Sequence, residues 1–195
     1  KIVPYCPRCG TALSSHEVAH GYKDVKENSI YVKFAIKGEK QAYLMAWTTT
    51  PWTLPSNVAL TVNPDETYVR VKCGDEEYIL AEALVEPVIQ EEHQILEKML
   101  GKDLVGMEYE PLFNFTKVDK KAYYVVAGDF VTLTDGTGIV HTAPAFGEDD
   151  ARVGREYDLP FVQLVNEQGK FVDAVTPWKG VFVKDADPEI IKHLE

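Results

Sequence analysis

From Ile30 the chain alternates with a period of two. Ile30, Val32, Phe34 and Ile36 fall on one side and Tyr31, Lys33, Ala35 and Lys37 on the other, the pattern of a half-buried strand. Gly38-Glu39-Lys40 reads as a turn. The apolar run Tyr43-Leu44-Met45-Ala46-Trp47 then reads as a second, buried strand. Further strands are expected at Val58–Val62, Thr67–Cys73 and Glu77–Leu80. From Ala81 to Leu100 the character turns helical. Pro87 is expected to divide this stretch into a short helix and a longer one with Ile95, Leu96 and Met99 on its apolar side.

Strands are expected again at Ala122–Val126 and Gly138–Thr142. Gly147-Glu148-Asp149-Asp150 reads as a helix start, because acidic side chains suit the positive end of the helix dipole. That helix should run to about Tyr157. Short strands are expected at Phe161–Val165 and Gly180–Val183, and Asp187-Pro188 is expected to cap a last helix, with proline at its first position. Residues 1–28 are polar and loop-like, an N-terminal linker ahead of one domain over 29–195. Strand signals outnumber helix signals and recur at short spacing. The expected fold class is therefore β-rich α+β, a closed or strongly curved β-barrel with peripheral helices.

Composition narrows this picture. Hydrophobic residues make up 45% of the 195, enough for a sizeable core, and 11% aromatic content argues against disorder. No apolar run is long enough to cross a bilayer and no signal peptide is visible, so no membrane partner is expected. The chain opens Lys1-Ile2-Val3 without an initiator methionine, as expected of a processed product or a piece of something larger. A net charge of −11 argues against a broad grip on a nucleic-acid backbone, which needs clustered Lys and Arg. Capture of one nucleotide end in a pocket remains compatible with it. Cys6, Cys9 and Cys73 cannot all pair, which suits a reducing cytoplasm.

Two segments could carry chemistry. Trp47-Thr48-Thr49-Thr50-Pro51-Trp52-Thr53-Leu54-Pro55-Ser56-Asn57 places four threonines where a strand runs out into a proline-stiffened loop. Read alone, it is either a binding site or an ordinary surface turn. The second is Asp135-Gly136-Thr137-Gly138-Ile139-Val140-His141-Thr142-Ala143-Pro144-Ala145-Phe146-Gly147-Glu148-Asp149-Asp150. Gly136 and Gly138 allow positive φ or close approach around Thr137. A strand then delivers His141 and a helix start delivers carboxylates, a layout that can wall a pocket. A buried carboxylate needs a cation, and a ligand ammonium is one. In the plainer reading, His141 is a hydrogen-bonded core residue and Asp149 and Asp150 only cap a helix. No Gly-x-Ser-x-Gly elbow, no obvious Cys-His pair that would use Cys73 and no phosphate loop is present, so water is the expected nucleophile of any enzyme here.

Cys6-Pro7-Arg8-Cys9-Gly10 is half of a tetrahedral zinc site. Three readings compete on spacing alone: a local site completed by His16 and His20, a half-site with its other ligands elsewhere, and no metal.

Together, Trp47–Pro55 and Gly136–Asp150 make the chain resemble the editing domain, or connective peptide, of class I aminoacyl-tRNA synthetases. The resemblance covers nearly the whole chain. It is closest to the isoleucyl type, whose marks are Trp-Thr-Thr-Thr-Pro-Trp-Thr-Leu-Pro and Gly-Thr-Gly-x-Val-His followed by an Ala-Pro turn and an acidic helix start. Relatives of valyl and leucyl type carry Thr-Arg-Pro where Thr50-Pro51 stands, and the valyl type tends to place lysine at the position of His141.

The resemblance implies a β-barrel with outer helices and hydrolysis of valine mischarged onto isoleucine tRNA. It implies that Thr48, Thr49 and Thr50 contact the ribose and ester, with Thr53, Thr137, Gly138 and Ala143 lining the same site. Trp52 and His141 would bound the side-chain pocket, and Asp150 would bind the α-ammonium group while Asp149 faces solvent. The implied partners are the 3′ end of isoleucine tRNA carrying valine, valine itself, valyl-adenylate and the rest of a parent synthetase, in the cytoplasm. Editing would need no cofactor. Zinc at Cys6 and Cys9 is implied as a half-site, its second cysteine pair lying beyond this chain. The rival readings are a valyl-type domain acting on threonyl-tRNA and a noncatalytic module that captures aminoacyl ends.

Overall fold

A computed structural model describes residues 2–21, 23 and 28–195. The expected linker boundary at 28 adjoins residues outside that set. The N-terminal segment is less loop-like than its composition implies. Short strands β1 (Tyr5–Cys6) and β2 (Thr11–Ala12) pair antiparallel. Helix α1 (Ser15–His20) follows, opened by a reciprocal cap between Ser14 and Glu17.

The main body starts with β3 (Ile30–Ala35) and β4 (Ala42–Thr48), an antiparallel hairpin. Val32 and Phe34 are buried while Tyr31 and Lys33 are exposed, so the period-two reading holds. A 3₁₀ turn (Pro51–Ser56) leads into β5 (Ala59–Val62). Next come β6 (Thr67–Cys73) and β7 (Glu76–Ala81), then the one-turn helix α2 (Val85–Val88). Strand β8 (Gln94–Leu100), helix α3 (Gly101–Leu104), and strands β9 (Tyr124–Ala127) and β10 (Ile139–Thr142) follow. Helices α4 (Glu148–Glu156) and α5 (Val183–Leu194) complete the chain.

The larger sheet has the order β3-β4-β7-β6-β8 and the smaller β10-β5-β9. Strand β10 lies alongside β4, where the two sheets abut. They share one core that includes Phe34, Leu44, Leu60, Ile79 and Ile139. A second core, around Phe171, Trp178 and Ile190, lies between the smaller sheet and α4 and α5. The architecture is mixed α/β with several sheets. Among the described residues the main-body pairing runs as two ladders that abut at β10 and β4.

Three local expectations are corrected. The long helix expected after Pro87 is strand β8, paired antiparallel with β6 from Thr67↔Leu100 to Lys72↔Gln94. Ile95 and Leu96 are 41% and 44% exposed, so no apolar helical face forms there. Ladder hydrogen bonds to β6 outweigh local propensity, and Glu97 and Lys98 put charge on an edge strand. Phe161–Val165 and Gly180–Val183 are not strands. They contribute only to the single bridges Val165↔Phe171 and Lys170↔Phe182, beside turns with positive φ at Gly169 and Gly180. Finally, α5 begins a turn before Asp187-Pro188, so Pro188 is internal. Val183, Ala186 and Ile190 recur at helical spacing and are buried; burying that face draws the earlier turn into the helix.

Candidate functional site

Strand β4 ends at Thr48, and the chain turns sharply because Thr50 N–H donates to Thr48 Oγ1 at 3.0 Å. The two hydroxyls lie 3.3 Å apart, and those of Thr50 and Thr53 3.5 Å apart. Thr53 Oγ1 donates to the Thr50 carbonyl at 2.8 Å, which locks the first turn of the 3₁₀ segment. Thr48 and Thr53 are buried, Thr50 is half-buried and Thr49 is exposed. The three adjacent threonines are therefore not equivalent: Thr48 and Thr50 belong to a hydroxyl chain, and Thr49 projects beside it.

Strand β10 carries His141 opposite Leu60 of β5. The His141 ring lies 2.7 Å from Thr53 Oγ1 through Nε2 and 3.4 Å from Asn57 Nδ2 through Nδ1. Burial lowers its pKa to about 4, so the ring is neutral at physiological pH. The first turn of α4 supplies Asp150. Its Oδ2 accepts from Ala143 N–H at 2.8 Å. A Cβ on Gly147 would stand 2.8 Å from Asp150 Oδ1, so glycine there lets the carboxylate fold back over the helix start. Burial raises the Asp150 pKa from 3.8 to about 6, against the opposing hydrogen bond from Ala143. Asp149 is exposed and pairs with Arg152 at 3.2 Å.

These groups meet around one cavity of about 310 Å³. Trp47, Thr48, Thr49, Thr50 and Thr53 form one side; Val140, His141, Ala143, Phe146, Gly147 and Asp150 form the other. Trp52, Thr137 and Gly138 do not line it. Trp52 stands behind Phe146, ring centroids 4.9 Å apart at 73°, and faces a larger apolar groove of about 740 Å³. The backbone N–H of Trp52 donates to Asp187 Oδ1 of α5 at 2.8 Å, fastening the threonine loop to that helix. Among the described residues the hydroxyl of buried Thr137 bonds to Ile139 at the start of β10, at its N–H and C=O, both at 3.3 Å. Gly138 has φ +74°, and a Cβ there would fall 2.5 Å from Ala81 Cβ, so the close approach expected of this loop is present, but against β7.

Sequence reasoning missed Phe146, Asn57 and Tyr109. Phe146 lies inside the second segment without a chemical signature. Asn57 was quoted at the end of the first segment but given no role. Tyr109, whose hydroxyl donates to Asn57 Oδ1 at 2.6 Å, sits in a stretch without a motif.

At the N-terminus, Cys9 N–H donates to Cys6 Sγ at 3.3 Å. That bond holds the Cys6 thiol below its usual range, and a bond to Cys6 raises Cys9. His16 and His20 pack ring against ring on α1, 4.3 Å apart. Among the described residues no group of three or more His, Cys, Asp or Glu is placed to hold a metal ion.

No family model matches the chain. Over all 195 residues it is 61% identical to the isoleucine–tRNA ligase of Clostridium novyi and 63% identical to that of Clostridium acetobutylicum. The isoleucine–tRNA ligase of Picrophilus torridus is 50% identical over the same span. In each case the chain covers 19% of the relative's length. Among solved structures, GlLeuRS-CP1 matches 86% of this chain and 95% of its own with a TM-score of 0.68 at 15% identity. The editing domain of the P. falciparum cytosolic leucyl-tRNA synthetase matches 80% of this chain and 78% of its own, with a TM-score of 0.59 at 15% identity. The chain thus corresponds, end to end, to one segment of the isoleucine–tRNA ligase family, and it carries the fold of the leucyl connective-peptide editing domains.

Proposed function

We propose that this chain is the editing domain of its synthetase and hydrolyses the ester between valine and the 3′ end of isoleucine tRNA. The observation that carries the reading is the single cavity that gathers the threonine chain, a neutral His141 and the half-buried Asp150 carboxylate. At about 310 Å³ it lies at the small end of ligand pockets, suited to an aminoacyl group rather than a whole nucleotide.

The chemistry asks little of the protein. Asp150 receives the α-ammonium in a charge-assisted hydrogen bond, which also offsets the cost of its own burial. Water attacks the ester carbonyl, the bond to the ribose oxygen breaks, and that oxygen leaves with a proton as the free hydroxyl. The hydroxyls of Thr48, Thr49 and Thr50 are placed to hold the water and the ribose, so catalysis rests on orientation. His141 and Phe146 form rigid apolar walls. Selection is by exclusion: a packed site that accepts valine meets isoleucine's extra methylene as overfilling. A synthetic pocket gains only about 1–3 kcal/mol from that methylene, a range for which isoleucine against valine is the standard worked case, not a result of this structure. The same cavity takes the valyl group of valyl-adenylate, with the nucleotide lying outside it.

The domain's acidity fits a division of labour in which other parts of the synthetase hold the tRNA body and only its 3′ end enters here. Cys6 and Cys9 supply two ligands of a structural zinc site whose other ligands come from outside this chain; editing itself uses no cofactor.

The test is deacylation by the full synthetase of isoleucine tRNA carrying valine, threonine or isoleucine. Valyl ester should be hydrolysed fastest and isoleucyl ester spared. Faster loss of threonine than of valine would transfer the site to the valyl type, and binding of a nonhydrolysable valyl-adenosine without turnover of any ester would leave only a capture module.

A further inference from the structure

We infer that Tyr109 is a positioning residue for His141, acting through the side-chain amide of Asn57. The inference rests on reading the cavity as an ester-hydrolysing site, but its geometry stands independently.

Tyr109 is held from several sides. It bridges Ile36 at the end of β3, its N–H donates to the Tyr123 carbonyl at 3.0 Å, and its ring packs edge-on against Phe34 with centroids 5.2 Å apart. Its buried hydroxyl donates to Asn57 Oδ1 at 2.6 Å. Asn57 Nδ2 donates one hydrogen to the Ala59 carbonyl at 2.8 Å. The Ala59 carbonyl selects the amide orientation, since a flipped amide would set oxygen against oxygen there, and the Tyr109 hydroxyl on Oδ1 holds the amide in it. Its second N–H then faces His141 Nδ1 at 3.4 Å, which must present a lone pair. The ring hydrogen therefore sits on Nε2. The other end agrees: Thr53 Oγ1 spends its only hydrogen on the Thr50 carbonyl and can only accept from His141 Nε2–H.

The hydrogen bonds thus run in one direction, from Tyr109 through Asn57, His141 and Thr53 to the backbone of the threonine loop. Both ring nitrogens are engaged, and neither is open to take a proton from water in the cavity. His141 acts as a wall and as the donor that anchors Thr53. Protonation at Nδ1 would oppose two N–H groups, so the same amide that sets the tautomer also resists charging.

Long-range proton–nitrogen spectra of histidine-labelled protein test this, with the His141 signal assigned by its loss in His141→Gln. The wild type should show His141 as the Nε2–H tautomer without titrating between pH 5.5 and 8.5. Asn57→Asp replaces the donor by an acceptor and should reverse the tautomer to Nδ1–H or charge the ring. Tyr109→Phe should give a mixture of tautomers and lower valyl ester hydrolysis by the full synthetase roughly tenfold. Nδ1–H in the wild type, or Nε2–H retained in Asn57→Asp, overturns the inference. So does a Tyr109→Phe variant with unchanged tautomer and unchanged rate. If either variant fails to fold, the other still decides. The expected tautomers without ester hydrolysis in any variant support the hydrogen-bond chain and count against the hydrolytic reading alone.

Discussion

Asp150→Asn separates what the folded chain gains from what the site gains. Asparagine keeps an oxygen for the Ala143 N–H but removes the charge. In the folded chain burial moves the aspartate pKa from 3.8 to about 6. Folding therefore binds a proton between those values, and stability falls as pH rises through them. Above pH 6 the charged carboxylate costs the folded state about 3 kcal/mol at most. Asp150→Asn should remove that cost, raising the unfolding midpoint at pH 8 by about 2–4 °C for each kcal/mol recovered. At pH 4 the advantage should have largely gone. Hydrolysis should move the other way. A charge-assisted hydrogen bond of about 1.5–3 kcal/mol to the substrate ammonium predicts a loss of roughly 10- to 150-fold in kcat/KM. In the wild type, kcat/KM should decline as pH drops below about 6, where the carboxylate takes up a proton. The assays are thermal unfolding of the chain from pH 4 to 8 and deacylation by the full synthetase. A variant less stable than wild type at pH 8, or one that hydrolyses valyl ester at the normal rate, would refute the reasoning.

His141→Ala removes a cavity wall and should let isoleucyl-tRNA be hydrolysed; continued protection of the correct product in a deacylation time course would sink the sieve role. Gly138→Ala forces a side chain onto a backbone at φ +74° and against Ala81, and urea unfolding should show a loss of about 2 kcal/mol or more. Cys6→Ser in the full synthetase should lower its bound zinc by one ion per chain, measured by elemental analysis, and an unchanged metal content would remove the half-site.

Much of the pocket could be read from the sequence because it is built from two short contiguous segments. Each ends a strand, and each carries residues with few other uses: adjacent threonines, a histidine in an apolar strand, and paired acids at a helix start. Strands β3 and β6 were legible because one face is more buried than the other, and β4 because it is a nearly continuous apolar run. Strand β8 was not, because its sheet pairing lies in the backbone and its apolar side chains stay exposed, which leaves no periodic signal. Tyr109 and Phe146 escaped for another reason. A tyrosine becomes a hydrogen-bond anchor, and a phenylalanine a pocket wall, only through neighbours distant in sequence. Trp52 shows the converse: its prominence in the motif reflects a buttress behind Phe146, with its backbone held by α5.

That tie to α5 bears on how the domain assembles. Trp52 and Asp187 are 135 positions apart. The smaller sheet is likewise closed late, since β5 waits for both β9 and β10. Entropy of chain closure must be overcome before such distant pairings reward the chain, which makes them slow to form. During synthesis the threonine loop emerges early and stays without its fastening until the last helix docks. The formed cavity is therefore a property of the finished fold, completed only when the last helix docks.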